Sequence, residues 1–93
     1  MLRRIVLDVL KPHEPRMVQF TAQLSDLEGV TGVTSKLVEM DEHVRTVRVA
    51  IEGDDLDYDR IVEEVEELSG SVHSIDEVSC GSEIIDDRWT LSR

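Results

Sequence analysis

The 93-residue sequence lacks the features that mark secreted and membrane-spanning proteins. Cys80 is its single cysteine, so no disulfide can form within the chain and nothing indicates an oxidising compartment. No apolar run approaches the roughly 18 residues that a membrane-spanning helix needs. The apolar stretch near the N-terminus is interrupted by Asp8 and precedes no small-residue cleavage site, so it does not fit a signal peptide. We therefore expect a cytoplasmic protein that does not contact membranes.

Basic and aromatic residues are also scarce. Lysine and arginine together number 10 against 21 aspartates and glutamates, which gives a formal net charge of −11. This balance argues against nucleic acid and anionic lipid as partners, because both are bound mainly by basic side chains. The core must be aliphatic, since the aromatic residues are limited to Phe20, Tyr58 and Trp89. Hydrophobic residues nevertheless make up 40% of the chain, which is enough for one packed domain of this length.

Six stretches of the sequence have a regular pattern of apolar residues. Four of them alternate between apolar and polar residues, as β-strands do, and two have the three-to-four-residue spacing of an amphipathic helix. The pattern predicts strands at residues 3–11, 30–40, 46–51 and 72–80. It also predicts one helix with Pro15 at its first position and a second capped by Asp57, which end at Gly29 and Gly70. The predicted order is β-α-β-β-α-β.

This order predicts a specific architecture. Two β-α-β units with right-handed crossovers, joined by a hairpin, give a four-stranded antiparallel sheet in the order 4-1-3-2. Both helices then lie on one face of the sheet. We predict an α+β domain of the ferredoxin-like type over residues 1–82, followed by a C-terminal tail over residues 83–93.

The predicted sheet leaves one face without helices, and aliphatic residues are expected on it. Apolar side chains on an uncovered face indicate that another surface covers them, and a second copy of the chain is the simplest candidate. The alternative is a partly hydrated face with scattered aliphatic side chains, which is common. Trp89 in the tail either docks on a neighbouring subunit or is disordered. The residues expected on the uncovered face are Val6, Leu10, Val38, Met40 and Ala50.

Asp8 and Asp76 are the candidate metal ligands. They lie on neighbouring antiparallel strands and are expected on the same face, with Ser74 close by. Two carboxylates and a hydroxyl could hold a hard divalent cation such as Ca²⁺ or Mg²⁺, with an adjacent subunit completing the site. The competing interpretation is that Arg48 on the third strand neutralises Asp8, so that no ion is needed. No catalytic constellation can be recognised elsewhere in the sequence.

Two segments resemble a known family. The segments RRIVLDVLKPHEP, starting at Arg3, and HSIDEV, starting at His73, are similar to the archaeal family called domain of unknown function 211. The resemblance extends from about Arg3 to Ser82. It implies a ferredoxin-like fold and assembly into homo-oligomers, which we expect to be ring-like. It implies no activity and assigns no catalytic residue.

Three hypotheses for function follow. The first is a non-catalytic, self-assembling binding module that holds a divalent cation or a peptide between subunits. The second is a small-molecule-sensing regulatory domain of the ACT-like type, although such domains usually carry a glycine-containing turn after the first strand, where this chain has Lys11–Pro15. The third is an acylphosphatase-like enzyme, which needs an arginine-containing anion cradle in the first loop, and Arg16 is its only candidate.

Overall fold

The computed structural model describes residues 1–85 and has the predicted order of elements. Neither of the two helices within this range is long and apolar enough to cross a membrane. The elements are β1 (Leu2–Lys11), α1 (Met17–Ser25), β2 (Val30–Met40), β3 (Arg45–Gly53), α2 (Tyr58–Glu67) and β4 (Ser71–Cys80).

The four strands form one antiparallel sheet in the order β2-β3-β1-β4. This is the predicted order 4-1-3-2 counted from the other edge, so the topology prediction is confirmed. β1 and β3 are the central strands, and β2 and β4 are the two edges. Each edge strand therefore has one side whose backbone N–H and C=O groups have no strand partner in the sheet.

The core lies between one face of the sheet and the two helices. The central strands alternate as predicted: Leu7 lies opposite Val49, and both are fully buried. α1 contributes Phe20 and Leu24 to the same cluster, and α2 contributes residues of its apolar stripe, so both helices cover one face. Each fully buried aliphatic side chain contributes about 1.5–3 kcal/mol relative to its exposed state. The buried cluster comprises Ile5, Leu7, Val9, Phe20, Leu24, Val47, Val49, Ile51, Leu56, Ile61 and Val65.

The predicted N-terminus of the second helix is confirmed. The Asp57 side chain accepts a hydrogen bond from the Arg60 amide at 3.2 Å, which satisfies one of the free N–H groups of the first turn. Leu56 and Ile61, on either side of this cap, are both buried. The helix is thereby fixed at its first turn against the end of the sheet.

Gly29 and Gly53 lie where the loop after α1 contacts the loop after β3. The Gly29 carbonyl oxygen accepts a hydrogen bond from the Asp54 amide at 2.9 Å, and Gly29 has a φ of 84°, which favours glycine. A Cβ atom at Gly53 would lie only 2.1 Å from the Gly29 carbonyl oxygen and 2.6 Å from Cδ2 of Leu56. The surrounding atoms are so close that there is no space for a side chain at position 53.

Candidate functional site

The face of the sheet away from the helices, hereafter the open face, carries paired charges. Even-numbered residues of β1 point to it, because the odd-numbered ones point to the core. Arg4 donates from Nε to Oε2 of Glu77 at 2.7 Å and also pairs with Glu52. The hydrogen bond that Arg4 donates to Glu77 is the main reason why the pKa of Arg4 is raised. The arginine at this end of the open face is therefore already paired with two carboxylates.

A second cluster on the open face is centred on Arg48. Its Nε lies 3.0 Å from Oδ1 of Asp8 and 3.4 Å from Oδ2 of Asp76. The Ser74 hydroxyl donates to Oδ1 of Asp76 at 2.8 Å, and this bond is the main cause of the lowered pKa of Asp76. The structure thus brings together Asp8, Asp76 and Ser74, as the sequence predicted.

Arg48 stands between the two candidate metal ligands. Its guanidinium contacts both Asp8 and Asp76, which is the arrangement of the alternative in which arginine neutralises the pair. Within residues 1–85 no group of three or more histidine, cysteine, aspartate or glutamate side chains is placed to hold a metal ion. A divalent cation at this position would have to displace Arg48 and gain further ligands from outside the described chain.

The aliphatic residues predicted on the open face are less exposed than expected. Val6 lies opposite Ala50 between the two clusters and is only 7% exposed, although no helix covers it. Leu10 and Ala50 are half-buried. Arg4 and Asp8 flank Val6 on the same face of β1, and long charged side chains such as that of arginine can cover apolar surface with their stems. Val6, Leu10 and Ala50 are on the open face as predicted, but they do not form an exposed patch.

The prediction that Met40 lies on the open face is wrong, and a β-bulge is the reason. Leu37 pairs with Val47 and Glu39 pairs with Thr46, so Val38 is an additional residue with no partner in the register. An additional residue inverts the alternation beyond it. Met40 therefore lies opposite Arg45, on the face that carries the helices.

The exposed aliphatic residues concentrate instead on the distal half of the β2–β3 hairpin, residues 36–44, hereafter the hairpin arm. Leu37, Val38 and Met40 are each about half exposed (48%, 49% and 58%), and Val44 is also exposed. The Thr21 hydroxyl of α1 donates to the hydroxyl of Ser35, the residue just before the arm, at 2.7 Å. The hairpin arm is therefore an exposed, partly apolar edge of the sheet.

The opposite edge of the sheet carries a second apolar pair, Ile75 and Val78 of β4, hereafter the β4 patch. These side chains are 49% and 54% exposed. A register shift between Ile75 and Glu77 makes Asp76 an additional residue, so that both Asp76 and Glu77 contact arginines of the open face. The hairpin arm and the β4 patch thus lie at different edges of one sheet.

An open groove runs alongside α1 and the first half of β2, which the hydrogen bond between Thr21 and Ser35 joins. It has a volume of about 450 Å³ and is lined mostly by apolar and small side chains. Val18, on its outer rim, is 79% exposed, the largest exposed fraction among the large hydrophobic residues described. The lining residues are Met17, Val18, Thr21, Ala22, Ser25, Val33 and Ser35.

Sequence reasoning missed Lys11, the last residue of β1, whose buried side chain contacts the first loop. It is 1% exposed, and its Nζ donates to the carbonyl oxygens of Pro12, at 2.8 Å, and of Pro15. The ammonium also lies 5.9 Å from the centre of the Phe20 ring, and burial is the main reason why the Lys11 pKa is lowered. Lys11 is in phase with Ile5, Leu7 and Val9 on the core face, which is the signal that could have revealed it.

The loop that Lys11 contacts is also the loop in which an acylphosphatase-like enzyme would need its anion cradle. An anion is held by N–H groups that point into a loop. Here two carbonyl oxygens of the first loop point at the Lys11 ammonium, and the side chain of Arg16, the residue before α1, is exposed. The loop is arranged around a cation of the protein itself.

A prediction for the Arg48 cluster follows from these distances. Replacement Arg48→Gln leaves Asp8 and Asp76 facing each other without a counter-ion, so the melting midpoint should fall and should become sensitive to calcium. Wild-type protein should melt at the same temperature in calcium and in chelator. The measurement is a thermal melt of both proteins in each buffer, with Arg60→Gln on α2 as the control. A wild-type midpoint that falls in chelator would show that a cation, and not Arg48, satisfies the pair.

The antiparallel βαββαβ sandwich, with both helices on one face, defines this protein as a ferredoxin-like α+β domain. The model of the family DUF211, described as "Uncharacterized ArCR", matches residues 3–93, and the chain therefore belongs to this family. The match confirms the resemblance seen in the sequence and extends it beyond Ser82, through the whole C-terminal tail. The chain is also 46% identical over 86 residues to a protein of Methanocaldococcus jannaschii, "Uncharacterized protein MJ0319", covering 92% of this chain and 89% of that protein.

Proposed function

We propose that this protein is a non-catalytic, self-assembling binding module of the cytoplasm, whose copies associate head to tail through two different edges of the sheet. The observation that carries the proposal is the position of the exposed aliphatic residues. Within the sheet they lie on the hairpin arm at one edge and on the β4 patch at the other, whereas Val18 is exposed on α1 and Met1, Ile84 and Ile85 lie near the chain ends described. In this assembly the hairpin arm of one copy packs against the β4 patch of the next.

A second copy of the chain suits both surfaces. Each edge strand offers unpaired backbone groups next to exposed aliphatic side chains, and these are the elements with which strands pair between subunits. Two different surfaces make the contact heterologous, and such contacts close into rings where the rotation between copies allows it.

The groove between α1 and β2 supports the binding role. An open cleft between a helix and an edge strand suits an extended peptide, which adds to the strand through backbone hydrogen bonds and places alternate side chains in the cleft. The charged groups of the open face support a non-catalytic role, because Arg4 and Arg48 are already held by carboxylates. We therefore propose that the module holds a peptide segment between subunits, in preference to a divalent cation.

The assembly is tested by the mass of the protein in solution. Wild-type protein should scatter light as an oligomer, whereas Val38→Lys on the hairpin arm and Ile75→Lys on the β4 patch should each yield monomers, because a lysine in an apolar contact loses hydration without gaining a partner. Both side chains are about half exposed, so the variants should melt close to wild type.

The control is Glu63→Lys on the exposed face of α2, which introduces the same side chain away from both edges. It should keep the mass of the wild-type oligomer. A wild-type protein that remains monomeric at every concentration, or edge variants that retain the oligomer, would overturn the proposed assembly.

A further inference from the structure

We propose that β4 of one copy and β2 of the next pair in one antiparallel register, which places Val78 opposite Leu37 and Ile75 opposite Met40. The inference rests on the proposed head-to-tail assembly, in which the hairpin arm meets the β4 patch of a neighbour. The same register brings the neighbour's Cys80 to the groove along α1 and β2, so that two copies form this site together.

The apolar residues of both edges lie on the same face of the sheet. Ile75 and Val78 pair with core residues of β1, so they are on the face that carries the helices. Leu37 pairs with the core residue Val47, and Met40 is on this face as well. Residues that lie opposite each other in two paired strands share a face. A pairing of the two edges can therefore bring these aliphatic side chains into contact.

The directions of the strands make this pairing antiparallel. β2 runs antiparallel to β3, β3 to β1 and β1 to β4, so β2 and β4 of one copy run in opposite directions. When the next copy keeps the same orientation, its helices lie on the same side, and its β4 runs antiparallel to the β2 that it meets. The antiparallel sheet can thus continue from copy to copy.

One register brings both apolar pairs together. Each edge strand contains an additional residue, Val38 in β2 and Asp76 in β4, between its two aliphatic residues. The aliphatic residues of each edge are therefore three positions apart, where a regular strand separates residues of one face by two. Because the spacing is the same in both strands, an alignment that places Val78 opposite Leu37 also aligns the second pair. A shift of two residues in either direction leaves neither pair opposite.

The charges on the open face favour the same register. Lys36 lies on this face, where it pairs with Arg48 of β3, and it has no ion pair within residues 1–85. In the proposed register Lys36 is a diagonal neighbour of Glu77, a distance that long side chains span. Glu39 lies opposite Asp76, whose charge Arg48 already compensates. The register thus gives Lys36 an acidic partner and leaves the one acidic pair beside an arginine.

The register also makes the groove a site shared by two copies. β4 ends at Cys80, which falls opposite Ser35, one of the groove residues. Cys80 is exposed, and it pairs with Leu2, which packs against the core, so its side chain is on the helix face. Residues 30–34 of β2 keep their free edge, where the proposed peptide can add. The neighbour's Cys80 therefore closes one end of the peptide site.

Disulfide trapping with the natural cysteine tests the register. Ser35→Cys adds a thiol opposite Cys80 of the neighbour. Within one chain the two positions are three strand spacings apart, about 14 Å, which is too far for a disulfide. Mild oxidation should link each copy to the next, so most of the protein should run as covalent multimers on a non-reducing denaturing gel. Mass spectrometry after digestion should identify the link between positions 35 and 80.

Three variants serve as controls. Lys36→Cys places the thiol one residue away on the open face and should give little product. Leu37→Cys tests a register displaced by two residues and should give less product than Ser35→Cys. Addition of Val38→Lys to Ser35→Cys should abolish the product, because it breaks the contact between the edges. Under reducing conditions Ser35→Cys should keep the mass of the wild-type oligomer, since serine and cysteine are similar in size.

The possible outcomes separate the register from the assembly. A link between positions 35 and 80 that disappears with Val38→Lys supports the proposed register. A wild-type oligomer whose Ser35→Cys variant gives no such link, or less than Lys36→Cys or Leu37→Cys, overturns the register and leaves the edge assembly in place. A link that persists with Val38→Lys also overturns it, because collision between free copies then explains the product. A monomeric wild type overturns both proposals.

Discussion

Replacement of Lys11 by alanine is expected to lower the free energy of unfolding by about 3 kcal/mol, as the loss of a buried long side chain generally does. Two losses combine in this variant. The four-carbon stem packs beside Phe20 in the core, and its removal leaves a cavity. The ammonium also satisfies the carbonyl oxygens of Pro12 and Pro15, which would lose their donor.

The chain offers a matched control for this measurement. Lys36 is its only other lysine, and it is exposed on β2, so Lys36→Ala makes the same chemical change without burial. Urea unfolding of both variants against wild type measures the difference, and Lys36→Ala should change stability by less than about 0.5 kcal/mol. Equal effects at the two positions would show that Lys11 is not the anchor of the first loop.

The same side chain should give a characteristic pH dependence. Burial lowers the pKa of Lys11 below its ordinary value of 10.5, so the unfolded chain binds more protons than the folded one between the lowered pKa and 10.5. Folding stability contributed by this group therefore rises with pH across that window. The measurable quantity is the difference in unfolding free energy between wild type and Lys11→Met, which should move in favour of wild type as pH increases to 10.5.

Replacement of Gly53 by alanine should be about as damaging, with a loss of about 3 kcal/mol, at the upper end of the range for overpacking. The added Cβ would lie 2.1 Å from a backbone oxygen, that of Gly29, and a backbone contact cannot be relieved by rotating a side chain. The two loops would have to separate, which also strains the hydrogen bond from the Asp54 amide to the Gly29 carbonyl.

Gly32 supplies the comparison within the same sheet. A Cβ at Gly32 would meet no atom within 4 Å, so Gly32→Ala should leave stability unchanged or raise it slightly. Chemical unfolding of the two alanine variants under identical conditions measures the contrast. Similar stabilities for Gly53→Ala and Gly32→Ala would contradict the close approach of the two loops.

The fold could be predicted from the sequence because its local patterns agree with one another. The alternation of Val47, Val49 and Ile51 marks a central strand, and the helices stop at or shortly before glycines. Chain order and the right-handed crossover rule then leave few arrangements of the strands. Asp8 and Asp76 could be brought together on the same basis, since both lie in strands that the topology makes neighbours.

The details of the site could not be predicted, because they depend on backbone irregularities that have no clear sequence signal. One additional residue, Val38, moves Met40 to the other face of the sheet. Another, Asp76, gives the open face two adjacent carboxylates where simple alternation predicts one. Val6 is only 7% exposed on the open face, whereas Leu37, Met40, Ile75 and Val78 are exposed at the two edges.

The residues predicted for the interface differ in their exposure. Val38 remains exposed, at the edge that we propose as one half of the contact, whereas Val6 is covered within its own chain. Trp89 lies outside the described residues, and its docking on a neighbouring subunit stays a prediction. The edges, with their unpaired backbone groups, are a better surface for association than the open face, whose charges are already paired.

The most direct test of the account is a mixture of the two edge variants. Val38→Lys blocks the hairpin arm and leaves the β4 patch intact, and Ile75→Lys does the reverse. Each variant alone should be a monomer. Mixed in equal amounts, they should give a species of twice the monomer mass by light scattering and nothing larger, since one intact arm meets one intact β4 patch. A mixture that stays monomeric, or a single variant that dimerises by itself, would contradict head-to-tail association through two different edges.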